Sequence, residues 1–385
     1  MAKVQYVYVK RKQSETGQTG TVTYDLPERG FIPEITVRIF STPTASTDPA
    51  LPINDAITKI EIVDGATVIK SLTGNQTHGL EMIHGRPART STEVNDNAVE
   101  GYDDFIIFLG GKVNGIEYVP DFSKFSNPQI KITWDYSLTT GVRGATFDAD
   151  ASPAIKITVF CKVVREGAKY SHGYLKSSEL QTWTQATSTT RQIEIPLGEK
   201  LYGIALEGGY DSLDFTEDFE QIKIDFDNGA WIPLQLYEEE IIKMQEQIFV
   251  NPFELTFRAD VADGMEIDSH MGYVGSINIV GVSAAAGALG AYRIAWPSAS
   301  SMGVEEISVT DSNGAAYATY SQAVFHVIGY CPYGLWYLPM STLLNGGGDL
   351  IDTSAYGRII VEVVSGSSAS TSQTPSVLAE YLITR

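Results

Sequence analysis

The side chains that could hold a metal or move a proton are five histidines and 47 carboxylates. His78, His84, His172, His270 and His326 are scattered, and none falls at the i, i+4 spacing that sets two imidazoles on one zinc ion. His326 stands in the alternating run AVFHVIGY, the setting of a sheet histidine. Close acid pairs occur at Asp148/Asp150, Asp211/Asp214 and Asp225/Asp227, as hard cations prefer, but none completes a calcium loop with its closing bidentate Glu. They are read as turn residues that leave room for loosely bound calcium and no other cofactor. A hydrolytic carboxylate pair is defined by its separation across a cleft, so among this many acids no pair stands out. The chain holds no G-x-S-x-G elbow, no Walker loop and no G-x-G-x-x-G; Gly346-Gly347-Gly348-Asp349 reads as a flexible loop. No catalytic, cofactor or metal residue is assigned, and the chain is read as a non-enzyme.

Two other groups of residues carry recognition chemistry. Tyr330, Tyr333, Trp336 and Tyr337, within GYCPYGLWYLP, could stack on sugar rings, although such clusters more often fill a domain junction or subunit interface. Lys3, Lys10, Arg11 and Lys12 precede the first acid, Glu15, and are read as a basic N-terminal arm over residues 1–14. Such an arm is either solvated or touches an anionic membrane or polymer. Elsewhere acids dominate: 27 Lys and Arg against 47 Asp and Glu give a net charge of −20, which argues against coating a nucleic acid.

The elements that must position these residues are strands. Period-two alternation recurs at Val22/Tyr24/Leu26, Ile35/Val37/Ile39, Ile130/Ile132/Trp134, Ile157/Val159/Cys161/Val163, Ile193/Ile195/Leu197 and Ile359/Val361/Val363. Turn signals separate them, among them Asp64-Gly65, Asn114-Gly115, Asp227-Asn228-Gly229 and Asn313-Gly314. A helix is expected from Tyr237 to about Gln247, where Glu238, Glu239 and Glu240 suit the helix dipole, with a weaker turn near Gly79–Ile83. The uncharged stretch Met271–Tyr292 has the length of a membrane span but reads as a strand followed by an Ala/Gly-rich loop. Cys161 lies in the apolar run ITVFCKVV and is expected to be a buried free thiol. With only Cys331 besides it, and no signal-like apolar core in MAKVQYVYVKRKQ, folding in a cytosol is expected.

The order of three weak internal repeats is the most informative feature. TVTYDLPERGFIPEITV is echoed by TRQIEIPLGEKLYGIAL, aligning Pro27 with Pro196; KIEIVDGATVIKSL by QIKIDFDNGAWIPLQL, aligning Gly65 with Gly229; and PAIKITVF by PSVLAEYL, aligning Pro153 with Pro375. One match alone carries little weight; three in one order describe two tandem all-β domains. These are expected at 15–167 and 191–385, joined by an extended linker over 168–190. The spacing widens between Gly229 and Pro375, which places an insertion of long loops at about 255–350 in the second copy.

Two β-sandwiches of matching strand pattern, one with elaborated loops, resemble the double jelly-roll major capsid proteins of adenovirus hexon and of tailless icosahedral viruses, often with an internal membrane. The resemblance implies two eight-stranded jelly rolls side by side, with few short helices. It implies homotrimers of pseudo-hexagonal outline that tile an icosahedral shell, and a virion location after synthesis in the host cytoplasm. Other capsid proteins, such as a vertex protein, and an internal lipid membrane would be the further partners, and Lys3 to Lys12 would face inward. The competing readings are a carbohydrate- or receptor-binding spike or adhesin and, behind it, a paired-jelly-roll glycan hydrolase or amidase.

Overall fold

Alternating segments become strands because only the extended backbone puts every second side chain on one face. The computed structural model describes residues 3–17, 19–41, 53–90, 100–110, 118–136, 155–166, 171–208, 215–261, 270–284, 293–295, 308–310, 321–343, 350–369 and 374–384. In the first half, β1 (Lys3–Glu15), β2 (Thr19–Asp25) and β3 (Phe31–Ser41) lead through helix α1 (Ile53–Ala56) to the hairpin of β4 (Lys59–Asp64) and β5 (Thr67–Leu72). Helix α2 (Gly74–His84) follows, then β6 (Ala88–Thr90), β7 (Gly101–Phe108), β8 (Tyr118–Val119), β9 (Pro128–Asp135) and β10 (Ile155–Glu166).

The second half opens with β11 (Ser171–His172), β12 (Tyr174–Thr182), β13 (Thr190–Glu194) and β14 (Lys200–Glu207). Helix α3 (Phe215–Asp218) precedes β15 (Phe219–Phe226) and β16 (Trp231–Tyr237), and helix α4 (Glu239–Ile248) follows them. Next come β17 (Phe253–Val261), β18 (Met271–Ala284), β19 (Arg293–Ala295), β20 (Ser308–Thr310), β21 (Ser321–Pro332) and β22 (Leu335–Pro339). The chain closes with β23 (Ile351–Asp352), β24 (Ile359–Ser365) and β25 (Ser376–Ile383).

Each half builds a sandwich of eight framework strands in the same order. In the first, β1-β10-β3-β7 faces β2-β9-β4-β5; in the second, β12-β25-β14-β22 is matched with β13-β24-β15-β16. The three repeat blocks fall on equivalent strands: β2–β3 with β13–β14, β4–β5 with β15–β16, and β10 with β25. Gly65 and Gly229 occupy equivalent hairpins, β4–β5 and β15–β16, and both take positive φ, 59° and 91°, as a tight reversal demands. Pro153 lies outside the described residues.

Each sandwich closes on its own apolar cluster. Ile35, Val37, Ile60, Phe105, Ile132 and Val159 are among the first; Ile204, Phe219, Ile224, Trp336, Val361 and Ala379 are among the second. The two sandwiches join edge to edge: β12 pairs in parallel with β5, at Ser177↔Lys70 and Ser178↔Ser71, so two of the four sheets fuse into one.

Several expectations need correction. Residues 3–15 are not a free arm; they form β1, whose Val7 and Val9 pack on the first core while its backbone pairs with β10. Residues 174–182 are not a linker but the first strand of the second sandwich, paired with β25 and β5. The insertion is not only loops: β17, β18 and β21 form an antiparallel sheet, joined by β6, over Phe253, Leu255, Phe257, Phe325 and Val327. The turn near Gly79 is a full helix, because Thr73 and Gln76 form a capping box that satisfies two of its free amides. Leu197 lies beyond β13 and is exposed. As expected, α4 spans the acid-led segment, and β18 occupies the first part of Met271–Tyr292. No helix of the described residues is long and apolar enough to cross a membrane.

Candidate functional site: the seam between the sandwiches

Helix α2 lies over the seam, and its side chains join both halves. Gln76 does so first: its Oε1 accepts from the Thr73 amide at 2.9 Å, while its Nε2 lies 2.9 Å from Glu179 Oε2 and 2.8 Å from Glu207 Oε2. Ser376 Oγ donates to the same Glu207 oxygen at 2.7 Å. Burial pushes the Glu207 carboxyl up to about 7, with Glu179 and Asp55 adding repulsion against the pull of the Gln76 and Ser376 bonds.

Below it, Lys70 of β5 donates to Ser177 Oγ of β12 at 2.6 Å and lies 3.5 Å from Glu380 Oε1 of β25. Glu380 also accepts from the Tyr337 hydroxyl at 2.9 Å, bonds Ser177 and pairs with His84 Nε2 at 2.7 Å. Burial alone would raise the Glu380 carboxyl; the His84 and Lys70 charges outweigh it and hold the group well below the carboxylate range. Burial lowers Lys70, against the pull of Glu380.

A second cluster ties α2 to β7 and the inserted sheet. His78 Nε2 meets Asp103 Oδ2 at 2.7 Å, Arg89 pairs with Asp103 and donates to the Tyr333 hydroxyl, and the His78 ring stacks on Phe105 at 4.4 Å. Burial would raise Asp103, but the Arg89 and His78 charges hold it below its ordinary value. These groups pair with one another at the seam. The pocket beside Lys70 and His84 has a volume of about 10 Å³, room for about one water and far below the ~300–1,000 Å³ of ordinary small-molecule sites.

The residues singled out in the sequence are placed as follows. Tyr337 and Tyr333 are buried between the halves, and Trp336 is buried in the second core with its Nε1 donating to the Ile241 carbonyl at 3.1 Å, so none of the three offers a face to a glycan. Lys12 pairs with Glu100 at 3.0 Å and sits 4.3 Å from the Phe40 ring centroid; Lys10 lies 5.8 Å from that of Tyr24; Lys3 and Arg11 are exposed on the same strand. Asp225 accepts from the Gly229 amide, a turn role, whereas Asp227 accepts from the distant Gly357 and Arg358 amides at 2.7 and 3.0 Å and ties the β15–β16 turn to the segment before β24. Asp148, Asp150, Asp211 and Asp214 lie outside the described residues. Among the described residues no three metal-ligating side chains gather. His326 lies 3.5 Å from Glu254 on the inserted sheet.

Lys70, Glu380, Gln76, Arg89 and Asp103 were missed in the sequence. One signal was legible: Glu380 is the sole charge in SVLAEYLI, and a lone acid in a strand buried on both faces requires a partner.

No family model matches the sequence, and no curated protein matches it. Its backbone superposes on the STIV MCP, of Sulfolobus turreted icosahedral virus, with TM-score 0.57 and 9% identity, covering 99% of this chain and 96% of that one. The chain folds as a double jelly roll. The PBCV-1 virus capsid protein agrees at TM-score 0.54 and 9% identity over 99% of this chain and 94% of that one. The major capsid protein P2 from bacteriophage PM2 agrees at 0.50 and 10% over 100% and 98%. At this identity the likeness lies in strand order and path, and both rolls and the insertion are spanned together.

Proposed function

We propose that this double jelly roll is a structural protein, the major capsid protein of an icosahedral virus. The observation that carries the reading is coverage: the capsid structures span both rolls end to end instead of matching one sandwich, which many unrelated functions share. A seam locked by buried charges gives each chain a rigid two-roll block, the unit a lattice needs. In this reading three chains form a pseudo-hexagonal trimer, trimers tile the shell, and vertex proteins and an internal membrane are the remaining partners. The protein is made in the host cytoplasm and resides in the virion, with no catalytic role and no required cofactor. Light scattering of the purified chain across concentrations should give three times the 42.0 kDa chain mass. Electron micrographs should show particles of pseudo-hexagonal outline. A monomer at every concentration would refute it.

A further inference from the structure

The exposed large apolar side chains of the described residues are not spread evenly. Val4, Tyr6 and Tyr8, exposed by 52%, 58% and 61%, stand on β1 of the first roll. Ile232, Tyr237 and Val250, exposed by 43%, 48% and 87%, stand on β16 and just past α4 of the second; Leu197 lies apart, after β13. Tyr6 and Tyr8 flank Phe160 at 6.4 and 5.7 Å between ring centroids, so the first patch is a continuous aromatic surface. Both strands are also sheet edges, β1 pairing with β10 alone and β16 with β15 alone among the described residues. A 13-residue edge carrying two bare tyrosines is a surface that folded proteins ordinarily cover.

The charges beside the patches are opposite. Arg11 and Lys12 follow the tyrosines on β1, both exposed, with Lys12 over the Phe40 ring, while Lys10 turns to the opposite face over Tyr24; on and beside α4 Glu238, Glu239, Glu240 and Glu246 are exposed with only Lys243 among them. In a chain of net charge −20 a local basic strip is the exception, and it lies next to bare aromatic rings. A symmetric contact of the β1 patch with itself would press like charges together; a contact between the unlike patches joins opposite ones.

We propose that the β1 face carrying Val4, Tyr6 and Tyr8 docks on the β16–α4 surface of a second copy of this chain, with Arg11 and Lys12 against its α4 acids. Because the patches sit on different rolls, the contact is head to tail and closes into a ring when the rotation between copies allows. The inference deepens the shell reading, resting on its self-association, and names the surfaces that make it.

The test uses cysteine pairs in the full chain, where Cys161 and Cys331 are buried and silent. Tyr6→Cys and Ile232→Cys chains, mixed and oxidised, should give cross-linked unlike pairs, and neither variant alone should cross-link. Arg11→Glu/Lys12→Glu and Glu239→Lys/Glu246→Lys should each weaken association about tenfold, and a chain with all four changes should recover it. An unchanged far-ultraviolet circular dichroism spectrum checks that each variant is folded. Cross-linking of Tyr6→Cys to itself, or undiminished assembly without unlike cross-links, would overturn these surfaces while leaving the shell reading intact. A concentration-independent monomer would overturn both. Binding of that monomer to anionic phosphatidylserine vesicles, lost in Arg11→Glu/Lys12→Glu, would assign β1 to a membrane instead.

Discussion

Lys70 and Glu380 come from opposite rolls and meet 3.5 Å apart, their side chains 3% and 0% exposed. Two charges removed from water are stable only together, so this pair makes the placement of one roll depend on the other. Lys70→Met leaves Glu380 buried with one cation fewer and should cost about 3–5 kcal/mol. Adding Glu380→Gln should return part of that cost, so the double variant falls short of the sum of the singles. Urea unfolding of the four proteins measures the coupling; strict additivity would mean that the pair does not act as a unit.

Glu207 sets a pH dependence of its own. Its carboxyl, raised from 4.5 to about 7, keeps its proton in the folded chain where the unfolded chain has released it. Stability therefore falls as pH rises through that window, and the penalty is complete above it. Glu207→Gln removes the penalty: it should stabilise the protein by about 1–2 kcal/mol at pH 8 and change little at pH 5. Thermal melts at the two values read the difference directly.

Glu380 and Asp103 work in the opposite sense, since both are held below their ordinary values of 4.5 and 3.8. Their contribution is present above those values and is lost as pH falls through the lower folded ones. Unfolding free energy should drop steeply below about pH 4. Asp103→Asn should flatten that acid limb while lowering stability at neutral pH, where Arg89 loses its partner. An acid limb of unchanged slope would exclude Asp103 as a contributor.

At Gly203 of β14, an added Cβ would overlap the Tyr337 hydroxyl, the group that bonds Glu380. Gly203→Ala should cost about 1–3 kcal/mol through overpacking. Gly203→Ala/Tyr337→Phe should recover little of it, because the ring carbons Cζ and Cε2 of residue 337 still lie 2.5 and 2.9 Å from the added Cβ and the hydrogen bond to Glu380 is lost as well.

Cys161 is buried and its thiol is pushed up to about 12 by that burial. A disulfide reagent at pH 8 should leave the native thiols untouched and titrate both cysteines once the chain is unfolded. Rapid labelling of folded protein would show that β1 opens from β10.

The sequence by itself determined the strands, because alternation such as Ile157, Val159, Cys161 and Val163 is a local property of the chain and burial follows from it. It also determined the duplication: Pro27/Pro196 and Gly65/Gly229 mark equivalent turns, and turn chemistry is local as well. It misjudged β1 and β12 for one reason: their membership of a sheet depends on partners, β10 and β25, far along the chain. Only the tertiary structure decided what the charged residues do. Lys70 and Glu380, or His84 and Glu380, are brought together by the parallel pairing of β5 with β12 and by the packing of α2 over the join. No local pattern records such a meeting, because the energy of a buried ion pair depends on distance and surroundings in space, which separation along the chain does not express.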